Sequence, residues 1–463
     1  MDEIYQRASR AWNAMSRFRT DRARCKRFVY GDQFGDLVEY DGRRMTERQY
    51  IEEMGQTPMK NNILRRILRN VVGVYRSSYK VPAATKFDLS GRDIDVKGIN
   101  RNRKNTFSEN HLDELLPRQM EEFLISGMSV VKVAGVKTPG MQDPGIRVCP
   151  VTPDNFFFHS DGYDPRGWDV DLVGEVHNVS YDNLMAGLCR TAEDFMRLES
   201  VFSGHDAGGA GCRVMEVWHK SSEMWGIVHD EKKACIKKIP MRKLRDKIAD
   251  KSKDRDMGSI RIERESGWRR AWYAFDGTLL KMENNILDCH PYVWKAYPFL
   301  DGEVHSYISD IIDQQKYVNH LITLYDFIMK SSAKGVLLFP DESLPRGMSL
   351  QDVADEWSRF NGVIPYRAQP GVALPTQVSG NAANIGISEL LKIEMQMLED
   401  ISGVSPTLQG KLQTNVSSGT LFAQQNQAAL TSLLDVVRSF EEFTSAIAKK
   451  IDTSYMDKGR RGH

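Results

Sequence analysis

The sequence predicts an α+β protein built from several domains, and three observations lead to that prediction. Its 463 residues are more than one ordinary domain of roughly 150 residues needs. Apolar residues recur at helical spacing in the first 127 residues and in the last third, whereas residues 128–300 alternate with a period of two. Hydrophobic residues make up 41% of the chain and charged residues 27%, which is typical of a folded protein.

Three helices are predicted before residue 128, at 3–28, 59–80 and 108–127. In the first two, apolar side chains recur at helical spacing between arginines, and Pro82 closes the second. Ser108 is the expected N-cap of the third helix, although His111 stands where a capping box has Glu or Gln. Pro117 is expected to kink or break that helix, because proline lacks the amide hydrogen that a helix interior uses.

Residues 128–300 have the pattern of strands separated by turns. Strands are expected at 129–135, 146–151, 155–160, 171–180, 213–219, 224–230 and 269–276, with a short helix at 181–198 and a hairpin turn at 275–278. Residues 232–270 hold fifteen Lys or Arg against six Asp or Glu, and we call this segment the basic island. The formal net charge of +1 therefore conceals a strongly basic segment.

The last third returns to long helices. They are expected at 303–334, 349–360, 385–401 and 419–450, with strands at 336–339 and 363–366 and a polar loop at 403–418. Gly403 suits a helix C-terminus, because glycine adopts the left-handed conformation found there. An apolar stripe of about thirty residues exceeds what one small domain buries. Either an internal helical hairpin or packing against other copies of the chain accounts for it.

Composition and motifs exclude several classes of protein. The net charge of +1 argues against a coat that covers nucleic acid, and six scattered cysteines argue against a disulfide scaffold and indicate a reducing compartment. No apolar run approaches the roughly 20 residues that cross a bilayer, and charges throughout the N-terminus predict no signal peptide. The segment GVSPTLQGKL at 403–412 has the wrong glycine spacing for a phosphate loop. We expect no cofactor and no catalytic activity.

Two sites of possible DNA chemistry remain open at this level. Four aspartates, Asp161, Asp164, Asp169 and Asp171, are compatible with a metal site, although the turn residues among them favour a solvated turn. The basic island, with Trp268 and Trp272 at its end, is compatible with phosphate contacts and base stacking, with an acidic partner protein, or with a solvated face. Two alternatives therefore stay open, a metal-dependent DNA-processing enzyme and a DNA-binding structural module.

Four stretches of the last third resemble the portal proteins of tailed, and particularly short-tailed, bacteriophages. They are DIIDQQKYVNHLITLYDFIMKSSAKGVLLFPDE, LQDVADEWSRFNGVI, LEDISGVSPTLQGK and SSGTLFAQQNQAALTSLLDVVRSFEEF. The resemblance is specific over 303–445, and helices followed by strands over 59–300 match a portal wing. It implies a wing at 1–302, stem helices at 303–334 and 382–402, a small α/β clip at 335–381, a tunnel loop at 403–418 and a C-terminal helix and tail at 419–463.

The resemblance also implies a function and a set of partners. Similar portals form twelve-fold rings at one capsid vertex, through which double-stranded DNA enters during packaging and leaves during ejection. The implied partners are the terminase motor, the major capsid protein and the tail adaptor, in a virion assembled in the host cytoplasm. A conduit must not bind DNA tightly, because many phosphate contacts would slow the movement of DNA through it. A polar, mostly uncharged loop suits such a sliding contact.

Three sets of site residues follow from this assignment. The tunnel-loop contact to DNA is expected at Lys411, Gln413, Asn415, Ser417 and Ser418. An acidic helix that lines the channel and repels phosphate is expected to present Glu389, Glu394 and Glu399. Docking of partner proteins on the clip is expected at Asp341, Glu342, Trp357, Arg359 and Tyr366. No metal ligand is among them.

Overall fold

The structure is a computed structural model, and it confirms the α+β class with 50% helix and 24% strand. It describes residues 2–85, 95–136, 145–159, 164, 167–202, 211–230, 235–241, 260–283, 286–297, 299–300, 302–334, 336–359, 362–378, 386–404 and 419–461. Among these residues, no helix is both long enough and apolar enough to cross a lipid bilayer.

The elements are numbered in chain order. The helices are α1 Glu3–Ala14, α2 Ser16–Tyr30, α3 Glu47–Glu53, α4 Ile63–Ser78, α5 Val96–Glu109, α6 Leu112–Ser126, α7 Tyr181–Leu188, α8 Ala192–Phe202, α9 Ser309–Lys334, α10 Leu350–Ser358, α11 Ile387–Ser402 and α12 Gly419–Arg461. The strands are β1 Leu37–Tyr40, β2 Arg43–Thr46, β3 Met128–Val136, β4 Gly145–Val151, β5 Phe156–Phe158, β6 Leu172–Val179, β7 Cys212–Asp230, β8 Cys235–Pro240, β9 Ile260–Ala274, β10 Leu279–Met282, β11 Tyr292–Ala296, β12 Phe299–Leu300, β13 Glu303–Val304, β14 Val336–Leu338 and β15 Thr376–Val378.

The chain divides into two compact units, and neither is a continuous segment. Unit 1 comprises Met1–Lys26, Leu68–Ser309 and Ser418–His463. Unit 2 comprises Arg27–Ile67 and Asp310–Ser417. The segment 1–302 that was assigned to a wing therefore contributes to both units, since its residues 27–67 belong to unit 2.

Unit 1 is built on two antiparallel sheets. In the larger sheet the strands follow the order β10, β9, β7, β6 and β5, and β8 pairs with the outer part of β7. In the smaller sheet β3 lies between β11 and β4. The two strands that were expected at 213–219 and 224–230 are one strand, β7, because β9 pairs with it without a break from Val214 to Val228. The expected hairpin turn at 275–278 is confirmed between β9 and β10.

Helix α1 packs on the larger sheet of unit 1. Asp2 caps its N-terminus, and Tyr5, Ala8 and Ala11 face inward at helical spacing. The ring of Trp12 meets Phe157 of β5 edge to face at a centroid distance of 5.9 Å. Helix α1 ends at Ala14 and α2 starts at Ser16, so the single helix expected at 3–28 is two helices.

Helix α12 packs on the smaller sheet of unit 1, where it contacts β3 and β11. Its buried face carries Phe440, Phe443 and Ile447, which are fully covered. Arg103 of α5 donates a hydrogen bond of 2.6 Å to Asp452, and this ion pair is almost entirely buried. Apolar packing and a paired charge thus fix the C-terminal half of α12, which extends beyond the expected end at 450.

The caps and breaks of several predicted helices were wrong. Ser108 is not an N-cap, because α5 runs through it to Glu109, and α6 begins after His111 in a left-handed conformation. Pro117 does not break α6, which continues to Ser126 with the proline ring buried. The helix expected at 181–198 is two helices, α7 and α8, that meet at 189–191. The helix expected from 303 begins at Ser309, after strand β13.

In unit 2, the strand expected at 363–366 was wrong. That segment has no strand structure, and β14 pairs instead with β15 in the register Leu337 to Gln377. The expected C-terminus of α11 is confirmed, since Gly403 follows it with φ of 66°.

A row of buried polar side chains on α9 fixes the chain segment before α4, within unit 2. The row consists of Gln315, Asn319 and Thr323, which are four residues apart and lie one turn above each other. The Nε2 of Gln315 donates to the carbonyl of Asn61 at 2.7 Å, and its Oε1 accepts from the amide of Ile63 at 3.0 Å. We call this row the polar ladder.

Asn319 and Thr323 form the remaining hydrogen bonds to the segment before α4. The Oδ1 of Asn319 accepts from the amide of Asn61 at 3.1 Å, and its Nδ2 donates to Gln33 at 2.7 Å. The Oγ1 of Thr323 accepts from the amide of Met59 at 3.0 Å. Because the backbone groups of Met59 and Asn61 form hydrogen bonds with α9, the helix expected from 59 begins only at Ile63.

The polar ladder generates a stability prediction. Gln315→Leu leaves the amides of Ile63 and Leu64 and the carbonyl of Asn61 without this partner, so we expect the free energy of unfolding to fall by about 2 kcal/mol. The matched control is Gln314→Leu, because the Oε1 of Gln314 is buried and accepts no hydrogen bond from the described residues. Denaturant unfolding measures both variants. An equal loss in both would show that the ladder adds nothing.

Candidate channel and docking surfaces

The predicted tunnel loop lies between α11 and α12. The structure describes Gly403 and Val404 at its start, and Val404 is fully buried. The predicted contact residues Lys411, Gln413, Asn415, Ser417 and Ser418 lie outside the described residues. Both flanking helices are described, so the ends of the loop are fixed at Ser402 and Gly419.

The three carboxylates predicted to line a channel do not share one face of α11. Glu389, Glu394 and Glu399 are five residues apart, and five residues turn a helix by about 140° beyond one full turn. Accordingly Glu389 is exposed, whereas Glu394 and Glu399 are half-buried at different positions around the axis. The structure thus places the three residues on one helix but does not bring them together.

The predicted clip residues lie on three short pieces of unit 2. Asp341 and Glu342 form a 3-10 turn, Trp357 and Arg359 lie at the end of α10, and Tyr366 is in the extended segment that follows. This segment is held beside the 3-10 turn. The backbone amide of Arg367 donates to the carbonyl of Ser343 at 2.8 Å, and the side-chain Nε2 of Gln369 donates to the carbonyl of Glu342 at 2.9 Å.

The clip surface combines charge with exposed apolar groups. A capping box between Ser349 and Asp352 begins α10, and the backbone amide of Ser349 holds the pKa of Asp352 below its ordinary value. Arg359 is paired with Glu356 at 3.0 Å. Tyr366 and Leu338 are about half exposed, and Val363 is 78% exposed. Of the predicted docking residues, Tyr366 therefore presents the largest open apolar surface.

The aspartates that suggested a metal site are engaged in other contacts or undescribed. Asp161 lies outside the described residues. The carboxylate of Asp169 accepts a hydrogen bond from the amide of Asp164 at 3.0 Å. Asp171 forms an ion pair of 2.5 Å with Arg7 of α1. These contacts are those of a turn packed on α1, not of a cation cage.

The tryptophans at the end of the basic island are not available for stacking on bases. Trp268 is 7% exposed and packs into the main core of unit 1, where its ring meets His290 edge to face. Trp272 lies against His177 at a centroid distance of 5.3 Å. The buried Trp268 and the partly buried Trp272 therefore do not favour the base-stacking alternative. Residues 232–234 and 242–259 of the basic island lie outside the described residues.

One group of side chains in the described chain has the spacing of metal ligands. Glu175, His177 and Glu216 hold their ligand atoms within 4.8 Å of one another. Glu216 lies in the first half of β7 and has no exposed surface. Its Oε2 is 2.8 Å from the Nε2 of His177 and 2.6 Å from the Nζ of Lys132, and its Oε1 is 2.8 Å from the Nε of Arg270.

The cations around Glu216 decide what this group does. Burial alone raises the pKa of Glu216, but the hydrogen bond from His177 and the charges of Lys132 and Arg270 outweigh burial and lower the pKa far below its ordinary value. The indole of Trp218 also donates to its Oε1 at 3.0 Å. Two protein cations already occupy the place of a metal ion, so the group is a buried ion network. We call it the Glu216 network.

Sequence inspection missed the Glu216 network, although two signals for it were present. Lys132 interrupts an apolar strand, and Glu216 interrupts another between Met215 and Val217. Charges at positions that otherwise face a core are stable only when they are paired.

The family of the chain follows from a comparison of its sequence with family models. The model of the phage P22-like portal proteins matches residues 5–452, which include nearly all of both units. A search of curated proteins found no match. Portal proteins are structural components of the phage capsid vertex, and not enzymes. The chain belongs to the P22-like portal protein family.

The Glu216 network generates a prediction about stability and pH. Glu216→Gln removes the carboxylate that Lys132 and Arg270 share, and it leaves them only Glu175 at 3.8 Å and the more exposed Glu283 at 3.3 Å, so we expect a loss of about 3 kcal/mol in the free energy of unfolding. Because the pKa of Glu216 is lowered in the native state, its contribution is complete above about pH 4.5 and is lost as the pH falls through the native pKa. Denaturant unfolding at several pH values measures both effects.

The matched control is Glu283→Gln. Glu283 pairs with the same Arg270 at 3.3 Å, but more than a third of its side chain is exposed. We expect this variant to lose less than about 1 kcal/mol. If both variants lost the same free energy, the buried carboxylate would have no special role.

Proposed function

We propose that twelve copies of this chain form a ring at one capsid vertex and that double-stranded DNA passes through the ring. The family match over residues 5–452 is the observation that supports this proposal most strongly. In this assignment the ring is the conduit for genome packaging, retention and ejection. The chain is assembled in the host cytoplasm and has no catalytic activity of its own. Its partners are the terminase motor, the major capsid protein and the tail adaptor.

Helices α9 and α11 are the proposed stem, the segment from β14 to β15 is the proposed clip, and residues 403–418 are the proposed tunnel loop. The proposed wing is residues 1–302. A net charge of +1 supports a conduit, because a ring with many unpaired cations would bind phosphate and hold the DNA. Within the stem, the proposed acidic lining includes Glu389, whose side chain is exposed, and Glu394 and Glu399 at its margins.

Particle imaging tests the proposed ring directly. We expect the purified protein to show rings with a central hole as wide as a DNA duplex, and native mass spectrometry to give twelve chain masses. A particle that stays monomeric at micromolar concentration would contradict the proposal. Magnesium-dependent or manganese-dependent DNA cleavage that Asp169→Ala and Asp171→Ala abolish would support the alternative of a DNA-processing enzyme.

A packaging assay with purified motor tests the two proposed contact sites against each other. Tyr366→Asp on the clip places a charge in an exposed apolar surface, so we expect it to weaken motor binding about tenfold or more in the absence of DNA. Gln413→Lys combined with Asn415→Lys adds phosphate contacts, so we expect unchanged motor binding but slower, more salt-dependent packaging. Each variant is the control for the other. Identical defects in both would refute the separation of docking from DNA contact.

A further inference from the structure

Exposed apolar side chains are concentrated in unit 2. It is the smaller unit, yet it contributes most of the large apolar side chains that the described residues expose. Soluble chains that remain alone rarely display extended apolar patches. The concentration therefore indicates that the surface of unit 2 is covered in the assembled protein.

Helix α11 has two apolar faces, and the described residues cover only one of them. Ile387 and Leu398 are buried, and Ser402 at the end of the same face is also buried. The other face carries a stripe of four apolar residues, which are between 43% and 52% exposed. They are Leu390, Ile393, Met397 and Ile401. Their spacing of three or four residues keeps them on one side of the helix.

A second exposed apolar face lies at the end of α9, in the same unit. Tyr325 and Met329 are four residues apart, so they lie one above the other on the helix. Their side chains are 45% and 48% exposed. Lys330 beside them is also exposed and pairs with Asp326 at 2.7 Å.

We infer that the α11 stripe of one copy packs against Tyr325 and Met329 of α9 in the next copy, an inference that rests on the proposed ring. A closed ring of more than two identical chains is built head to tail, so each copy must offer two different surfaces that fit each other. The stripe and the end of α9 are two such surfaces, and both are apolar.

The charges beside the two surfaces also favour this pairing. Glu389 and Asp400 are exposed next to the α11 stripe, whereas the largely exposed ammonium of Lys330, which also pairs with the less exposed Asp326 of its own helix, adjoins Met329 at the end of α9. Opposite charges at the rim of an apolar contact orient the partners and disfavour other pairings. Packing of the α11 stripe against another α11 stripe would instead bring like charges together.

The test uses Ile393→Asp in the α11 stripe and Gln396→Asp as the matched control. Both residues are exposed on the same helix, and both variants add one carboxylate. Only Ile393 belongs to the stripe. We expect Ile393→Asp to raise the concentration at which half of the chains are in rings by at least about tenfold, equivalent to about 1.4 kcal/mol, as measured by mass photometry. We expect Gln396→Asp to assemble like the unchanged protein.

Mixing two variants tests the head-to-tail pairing. Tyr325→Asp alters only the α9 surface, and Ile393→Asp alters only the α11 surface. In a mixture, the unchanged α11 stripe of the first variant meets the unchanged α9 surface of the second. We therefore expect particles of two chains, one of each kind, while each variant alone remains monomeric at the same concentration.

Three outcomes would overturn the inference. If Ile393→Asp formed rings as readily as Gln396→Asp, the α11 stripe would not be the contact between neighbouring copies. The proposed function would remain intact. A lower unfolding temperature of the Ile393→Asp monomer than of the control monomer would show that the same chain covers the stripe. If the unchanged protein formed no ring at all, the proposed function would fail, and the inference would fail with it.

Discussion

A single buried carboxylate connects the two sheets of unit 1. Glu216 lies on the larger sheet, and its partner Lys132 lies on β3 of the smaller one. A second link runs in parallel, since the hydroxyl of Tyr292 on β11 donates to Glu175 on β6 at 3.0 Å. Because a buried charge is tolerated only with its partners in place, the ionic contacts allow few relative positions of the sheets. The helices that pack on either sheet depend on that arrangement.

Much of the secondary structure could be predicted from the sequence, because local periodicity decides it. The strands around Val131 and Val173, the turn at 275–278 and the glycine cap of α11 each follow from residues close in sequence. The errors arose where distant residues decide. Residues 59–62 look helical, but the backbone amides of Met59 and Asn61 donate to side chains of α9. Pro117 looks like a break, yet the burial of its neighbours Leu116 and Met120 outweighs one missing bond.

The candidate surfaces were less predictable, because exposure depends on the whole unit. From the sequence, Trp268 was compatible with base stacking, but its place in the register of β9 turns it into the core. The five-residue spacing of Glu389, Glu394 and Glu399 already showed, by helix geometry alone, that they cannot share one face. The exposed stripe on α11 could not be predicted from the sequence. When a helix has apolar residues on two faces, the sequence does not indicate which face packs within the chain.

The polar ladder fixes the position of α9 along its own axis. A slide by a fraction of a turn would break the hydrogen bonds of Gln315, Asn319 and Thr323 together. A slide by a whole turn, about 5.4 Å, would set Asn319 where Gln315 had been, with a side chain too short to reach the same amides. Force along the helix axis is therefore borne as shear on hydrogen bonds. Because the three side chains differ in length, all of these hydrogen bonds form at only one position of the helix along its axis.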